Sequence, residues 1–239
     1  MRQEHTELEF SGKYDEQHSH AYFNKHQAGF WRRQSHARDV SLARKALKLA
    51  GNPDSILDLP CGAGRFWPML TTTGASRLLA ADNSQAMLDI ATRYQPPAIS
   101  ERFETFQTSA FAIELPDASV DNIFCMRLIH HVGEANNRMT LLREFHRVCR
   151  QSVCISLWVD GNLQAHRRRK LEASRKRKQY QNRFITDRNI IESEFAAAGF
   201  RVTAALDFLP LLSIWRVYVL EKDPQSLPQG AEHGTSRHE

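Results

Sequence analysis

The order of elements predicts an α/β protein, with a doubly wound, mostly parallel seven-stranded sheet and a C-terminal antiparallel hairpin. Three observations lead there. Short apolar strands alternate with helical stretches from residue 55 to residue 158, and parallel neighbours need a crossover that is usually a helix. The last two strands are joined by only seven residues, 207–213, too few for a crossover, so they must run antiparallel. Of the residues, 41% are hydrophobic and 25% charged, as expected of a globular chain of 239 residues.

In chain order, a helical stretch ends at Gly51, where Asn52-Pro53 forbids continuation. Ser55 to Leu59 reads as a short buried strand and, after a glycine-containing turn, Arg65 to Thr72 as a helix. Arg77 to Ala81 is a second strand ending at Asp82. Ser84 is positioned to cap a helix over Gln85 to Tyr94, with Met87, Leu88 and Ala91 at helical spacing. Pro96-Pro97 stops it. Phe103 to Gln107 and Val120 to Met126 are further strands, and Arg138 to Val148 is a helix with Leu141, Leu142, Phe145 and Val148 on one face. Val153 to Trp158 is the fifth strand. Thr186 is the expected cap of a helix aligning Ile190, Ile191, Phe195 and Ala198 and closed by Gly199. Phe200 to Leu206 and Ile214 to Leu220 form the hairpin.

Both ends are polar, and residues 1–20 and 222–239 are expected to be mobile around one domain spanning 21–221. No apolar run approaches the roughly 20 residues that span a bilayer. The start, MRQEHTELEF, lacks the apolar stretch of a secretory signal, and a cytoplasmic location is expected. Cys61, Cys125, Cys149 and Cys154 form no CxxC pair and no His stands at metal spacing, so reduced thiols and no metal site are expected.

The overall charge is +5, but Ala165 to Arg183 holds nine Lys or Arg against Glu172 alone, a net +8 that leaves the remainder at −3. This basic insert, 165–183, begins with Arg167, Arg168, Arg169 and Lys170, the candidate anion-binding residues. A solvated helix face is the plainer alternative. Without aromatics interleaved through the run, base stacking is poorly supported, so nucleic acid ranks behind a phosphorylated or lipid-like partner.

The chemistry concentrates in Asp58-Leu59-Pro60-Cys61-Gly62-Ala63-Gly64-Arg65, at the carboxyl end of the first strand. Glycines there let backbone approach a ligand, and an acid at the end of the second strand, Asp82, suits ribose hydroxyls. Together they point to a nucleoside-containing cofactor. A dinucleotide turn would place a third glycine where Trp67 stands, and no GxxxxGK[ST] occurs.

These residues resemble the class I S-adenosylmethionine-dependent methyltransferases, within them the small-molecule group that includes ubiquinone-type enzymes, over roughly Ser55 to Leu220. Asp58 to Arg65 is similar to the family's first motif and Ala80-Ala81-Asp82-Asn83-Ser84 to its second. Leu115 to Asp121, then Ile123-Phe124-Cys125-Met126 and His130-His131, resemble the stretch through the fourth strand. The resemblance implies a Rossmann-like methyltransferase fold and S-adenosyl-L-methionine as cofactor, with S-adenosyl-L-homocysteine as product. It implies cofactor contacts from Asp58, Cys61, Gly62, Ala63, Gly64, Arg65, Asp82, Asn83, Ser109, Ala110 and Met126. Ser109-Ala110 replaces the family's usual Asp-Ala after the third strand, so the adenine would be met by an uncharged hydroxyl.

On the acceptor side, His130 and His131 are the candidate catalytic pair, since a neutral imidazole can take a proton from an oxygen nucleophile. Packing or backbone bonding is the plainer role for them. Tyr22, Phe23, Phe30 and Trp31, with arginines nearby, resemble an N-terminal helical lid over 21–50, and Tyr22, Trp31 and Arg127 are the candidate substrate contacts. The expected activity is methyl transfer by in-line displacement to a small or amphipathic, and in one version anionic, acceptor. Methylation of tRNA or rRNA, and a non-catalytic domain binding an anionic partner, stand as alternatives.

Overall fold

The computed structural model describes residues 30–173 and 182–223. It contains helices α1 (Phe30–Leu49), α2 (Trp67–Leu70), α3 (Gln85–Tyr94), α4 (Pro97–Ser100), α5 (Ala135–Val148), α6 (Leu163–Ala173) and α7 (Arg188–Ala197). The strands are β1 (Ser55–Asp58), β2 (Arg77–Asp82), β3 (Phe103–Gln107), β4 (Val120–Cys125), β5 (Cys149–Trp158), β6 (Phe200–Asp207) and β7 (Trp215–Lys222). They form one sheet in the order β3-β2-β1-β4-β5-β7-β6. β1 to β5 are parallel, whereas β7 lies antiparallel between β5 and β6. The expected architecture is therefore present. Strand order reverses between β1 and β4, which opens a crevice at their carboxyl ends.

Alternation along the central strands feeds two cores. Leu57, Ile123 and Ile155 face a layer with Leu141 and Phe145 of α5 and Phe195 of α7. Ile56 and Phe124 face the opposite layer with Leu42 and Ala46 of α1, Trp67 of α2 and Leu88 of α3. Between α5 and α7, the buried Arg138 guanidinium forks onto Glu194 at 2.7 and 2.6 Å.

Several boundaries differ from the sequence reading. The helix after the glycine turn is confined to α2, because Pro68 fits only a first helical turn. Ser84 occupies the cap position of α3 without a side-chain cap bond. β5 starts at Cys149, whose pairing with Val120 continues across a register shift in β4. Thr186 instead forms a parallel bridge to Val159. Asp187 caps α7, its carboxylate accepting the N–H groups of Asn189 and Ile190. Ile190 is exposed rather than part of that helix's buried face. The expected C-terminal tail begins later, since Lys222 ends β7 and the Asp223 N–H reaches the Gly199 carbonyl. Residues 1–20 and the rest of that tail lie outside the described residues.

Candidate active site

Beyond β1 the chain passes through the crevice, the Leu59 N–H bonding to Phe124 O at 3.1 Å and the Cys61 N–H to Ala81 O at 2.9 Å. It then turns through Gly62 (φ +53°) and Gly64 (φ +70°). The two glycines serve different ends. A Cβ on Gly62 would stand in open space, whereas one on Gly64 would meet the Trp67 ring at 2.9 Å. Trp67, where a dinucleotide turn would have glycine, is wholly buried and stacks on Phe103 with ring centroids 4.4 Å apart.

Asp82 organises this turn. Its Oδ2 accepts the Gly62 N–H at 2.9 Å and its Oδ1 the Ser84 N–H at 3.0 Å. Burial raises its pKa, and those N–H groups oppose the rise. Asp58 is only 1% exposed, and neither carboxylate oxygen has a hydrogen-bond partner. Burial, then the Asp82 charge, pushes its pKa well above the usual carboxylate range; the nearby Trp67 indole eases this without making a hydrogen bond of normal geometry. Asp58 therefore caps no helix. Burial also pushes the Cys61 thiol up, which keeps it protonated and unreactive.

Ala63, Asn83, Ser109 and Ala110 line the same carboxyl edge. Asn83 is exposed, its carbonyl bonded by the Gln107 side chain at 2.8 Å. The Ser109 hydroxyl accepts the Phe111 N–H at 3.2 Å, and Ala110 is buried.

On the other side of the switch point, Arg65 and Arg127 converge on one carboxylate, Asp39 of α1. Arg65 Nη2 reaches it at 2.6 Å while Arg65 Nε bonds His36 Nδ1 at 3.1 Å. Arg127, in left-handed backbone conformation at φ +68°, pairs with the same Asp39 oxygen and lies 4.7 Å above the Trp215 ring. Met126, Arg127, Ser156, Phe208 and Trp215 line an open cleft walled by Asp39 and Leu42 of α1.

His130 and His131 sit beside this cleft in a 3₁₀ turn, Ile129–His131. His130 is 4% exposed, packed at 4.9 Å from both Trp158 and Trp215, and its Nδ1 has no partner. Burial, with lesser effects from His131 and Arg183, lowers its pKa to about 2. The His131 Nδ1 lies 2.6 Å from the Asn182 carbonyl, which can only accept; the proton therefore sits on Nδ1, and Nε2 is the basic nitrogen. Burial lowers the pKa of His131 as well.

The four candidate anion contacts on α6 do not act as one cluster. Arg168 bonds Glu172 at 2.8 Å and lies 4.7 Å over Trp158, and Arg169 approaches Asp160 at 3.5 Å. Arg167 and Lys170 are exposed. Tyr22 lies outside the described residues, as do 174–181 of the insert. Trp31 falls in the first turn of α1, whose later residues Leu42, Ala43, Ala46 and Leu47 are core. Among the described residues, no group of His, Cys, Asp and Glu could hold a metal, and no helix is long and apolar enough to cross a membrane.

Sequence reasoning missed His36, Asp39, Ser156, Trp158 and Trp215. Of these, the two tryptophans had a usable signal, since each stands at the end of a predicted strand where its ring would flank the crevice.

Residues 57–155 match the family model for a methyltransferase domain. Among curated proteins no sequence match is found. Solved structures match the fold at low identity. Magnesium protoporphyrin IX methyltransferase from Synechocystis, with bound S-adenosylhomocysteine, is 14% identical with a TM-score of 0.67, covering 82% of this chain and 89% of its own. A SAM-dependent methyltransferase from Methanosarcina mazei is 18% identical with a TM-score of 0.57, covering 71% and 92%. The [4+2]-cyclase SpnF is 14% identical with a TM-score of 0.59, covering 77% and 80%. The matched stretch runs from β1 into β5 and so contains the glycine turn, both acids and the switch point, and on that ground residues 57–155 form a methyltransferase domain within a sheet of the fold shared with these structures.

Proposed function

We propose that the chain binds S-adenosylmethionine at the carboxyl ends of β1 to β3 and methylates a small or amphipathic acceptor carrying an anionic group. The observation that carries this reading is Asp58, a wholly buried carboxylate without a hydrogen-bond partner. Such a group is costly unless a cationic ligand completes it, and the cofactor's ammonium group is of that kind. The cofactor fits the other residues too. Asp82 keeps lone pairs for ribose hydroxyls after accepting two backbone N–H groups, Gly62 leaves room for close approach, and the Ser109 hydroxyl, which accepts the Phe111 N–H, would meet the adenine edge.

When bound, the cofactor supplies a methyl group already activated on a sulfonium, so the protein's task is chiefly to position the nucleophile. Arg127 and Trp215 present a cation and an apolar ring side by side in the cleft, which suits a carboxylate or phenolate attached to a planar or aliphatic body. His131, with its tautomer fixed by Asn182, takes the proton of a hydroxyl nucleophile at Nε2. His130, with its pKa near 2, serves better as packing than as a base.

S-adenosylhomocysteine release, measured across matched acceptors with and without a carboxylate, tests this reading. The expected result is turnover favouring the carboxylated series, with Arg127→Gln raising KM for that series about tenfold or more. Binding of S-adenosylhomocysteine without turnover of any acceptor would contradict methyl transfer and favour a domain that binds without catalysis. Activity on RNA alone, falling steeply with salt, would contradict the small acceptor.

A further inference from the structure

The connection between β6 and β7 exposes leucines at the carboxyl edge of the sheet. Leu211 is 78% exposed, and Leu209 and Leu212 are about half exposed. Leu211 also holds a left-handed backbone conformation, φ +62°, unfavourable for a leucine. A residue disfavoured in both respects persists because its surroundings fix it. The Leu163 N–H donates to Leu211 O at 2.9 Å and the Gln164 N–H to Leu212 O at 3.1 Å, so the loop carbonyls satisfy the first turn of α6. The Gln164 side chain in turn accepts the Ile214 N–H at 3.2 Å. Loop and helix thus form one rigid unit, which holds the leucines outward instead of letting them fold onto the core.

The outward face of α6 continues this surface. Ala165 and Arg168 face inward, Ala165 buried and Arg168 over Trp158. Leu163, Arg167 and Lys170 recur at i, i+4 and i+7 and share the opposite, exposed face. An aliphatic tip therefore sits beside a pair of cations, on a helix whose one acid, Glu172, is engaged by Arg168.

We propose that this loop and helix face form a docking surface for an anionic lipid bilayer. The leucines would enter the boundary between headgroups and acyl chains while Arg167 and Lys170 meet the phosphates. The charge is of the right sign, and aliphatic side chains gain by leaving water for hydrocarbon. RNA is less well matched, because leucines cannot stack on bases. The cleft containing Phe208 and Trp215 borders the same loop, so docking would bring its mouth to the lipid surface, where an amphipathic acceptor resides. The surface itself requires neither cofactor nor turnover, so its test stands apart from the activity proposed above.

The test is flotation of the full chain with vesicles of phosphatidylcholine alone and of phosphatidylcholine mixed with phosphatidylglycerol. The expected result is binding to the mixed vesicles that weakens with salt, and much less to phosphatidylcholine alone. Leu211→Asp, tolerated by a left-handed backbone, should weaken it about tenfold, and Arg167→Gln with Lys170→Gln by a similar factor, with thermal unfolding unchanged. No flotation of the wild type, or variants that float equally well, would overturn the proposal. So would retention on RNA without flotation, or a dimer in solution that Leu211→Asp dissolves while no vesicle is bound.

Discussion

The Asp82 carboxylate at the end of β2 holds the Gly62 backbone N–H at 2.9 Å, tying the glycine turn after β1 to the neighbouring strand. Its other oxygen holds Ser84 at the start of α3, so a single side chain fixes two loops that meet at the crevice. The crevice proposed to hold the cofactor is therefore shaped before any ligand arrives, which would lower the ordering cost of binding.

The two glycines should separate stability from binding. Gly64→Ala places a methyl against Trp67 at a left-handed position and should cost about 1–3 kcal/mol of stability. Gly62→Ala meets no neighbour, so its stability loss should be smaller and its loss of cofactor affinity larger. Denaturant unfolding alongside ligand titration checks this, and equal stability losses would contradict the division of roles.

Asp58→Asn should stabilise the ligand-free protein while weakening cofactor binding. Burial raises the folded pKa of Asp58, so its ionisation costs stability as pH rises from the unfolded value of about 3.9 through the raised folded one. An amide resembles the protonated acid. The variant should match the wild type in acid and gain on it as pH rises, with affinity for S-adenosylmethionine falling about tenfold or more. Unchanged affinity would remove the ammonium assignment.

His130 should make the fold acid-sensitive. Its pKa lies near 2 in the folded chain against about 6.5 unfolded, so the unfolded chain takes up the proton first as pH falls. Stability present above pH ~6.5 is lost below it, with a slope approaching about 1.4 kcal/mol per pH unit from this group. Comparing unfolding of wild type and His130→Phe across that range should show a shallower decline in the variant; parallel curves would contradict the burial argument.

Breaking the buried ion pair between α5 and α7 should be among the most damaging single changes. Glu194→Ala leaves Arg138 charged in the core and should cost about 3–5 kcal/mol, read from denaturant midpoints. A loss under about 1 kcal/mol would place the pair with surface ion pairs.

Much of the fold was legible because its signals are local. Alternating apolar strands, Gly62 and Gly64 after β1, and Asp82 at the end of β2 all declare themselves within a few residues. The half of the site around Arg127 did not, because its partner Asp39 lies 88 positions away on α1. Trp158 and Trp215 become neighbours only through the antiparallel register of β5 and β7, which no short window encodes. The orphaned state of Asp58 was likewise hidden, since capping and ligand binding call for the same residue type and only burial tells them apart. The cap of α7 moved from Thr186 to Asp187 because a bridge to Val159 holds the threonine backbone.

The measurement that bears most directly on the central claim is calorimetric titration of the wild type and of Asp82→Asn with S-adenosylhomocysteine, which has no methyl group to transfer. The predicted result is one site of micromolar affinity in the wild type, weakened at least about tenfold in the variant. No heat from the wild type, or equal affinity in the two proteins, would contradict the assignment of this crevice as a cofactor site.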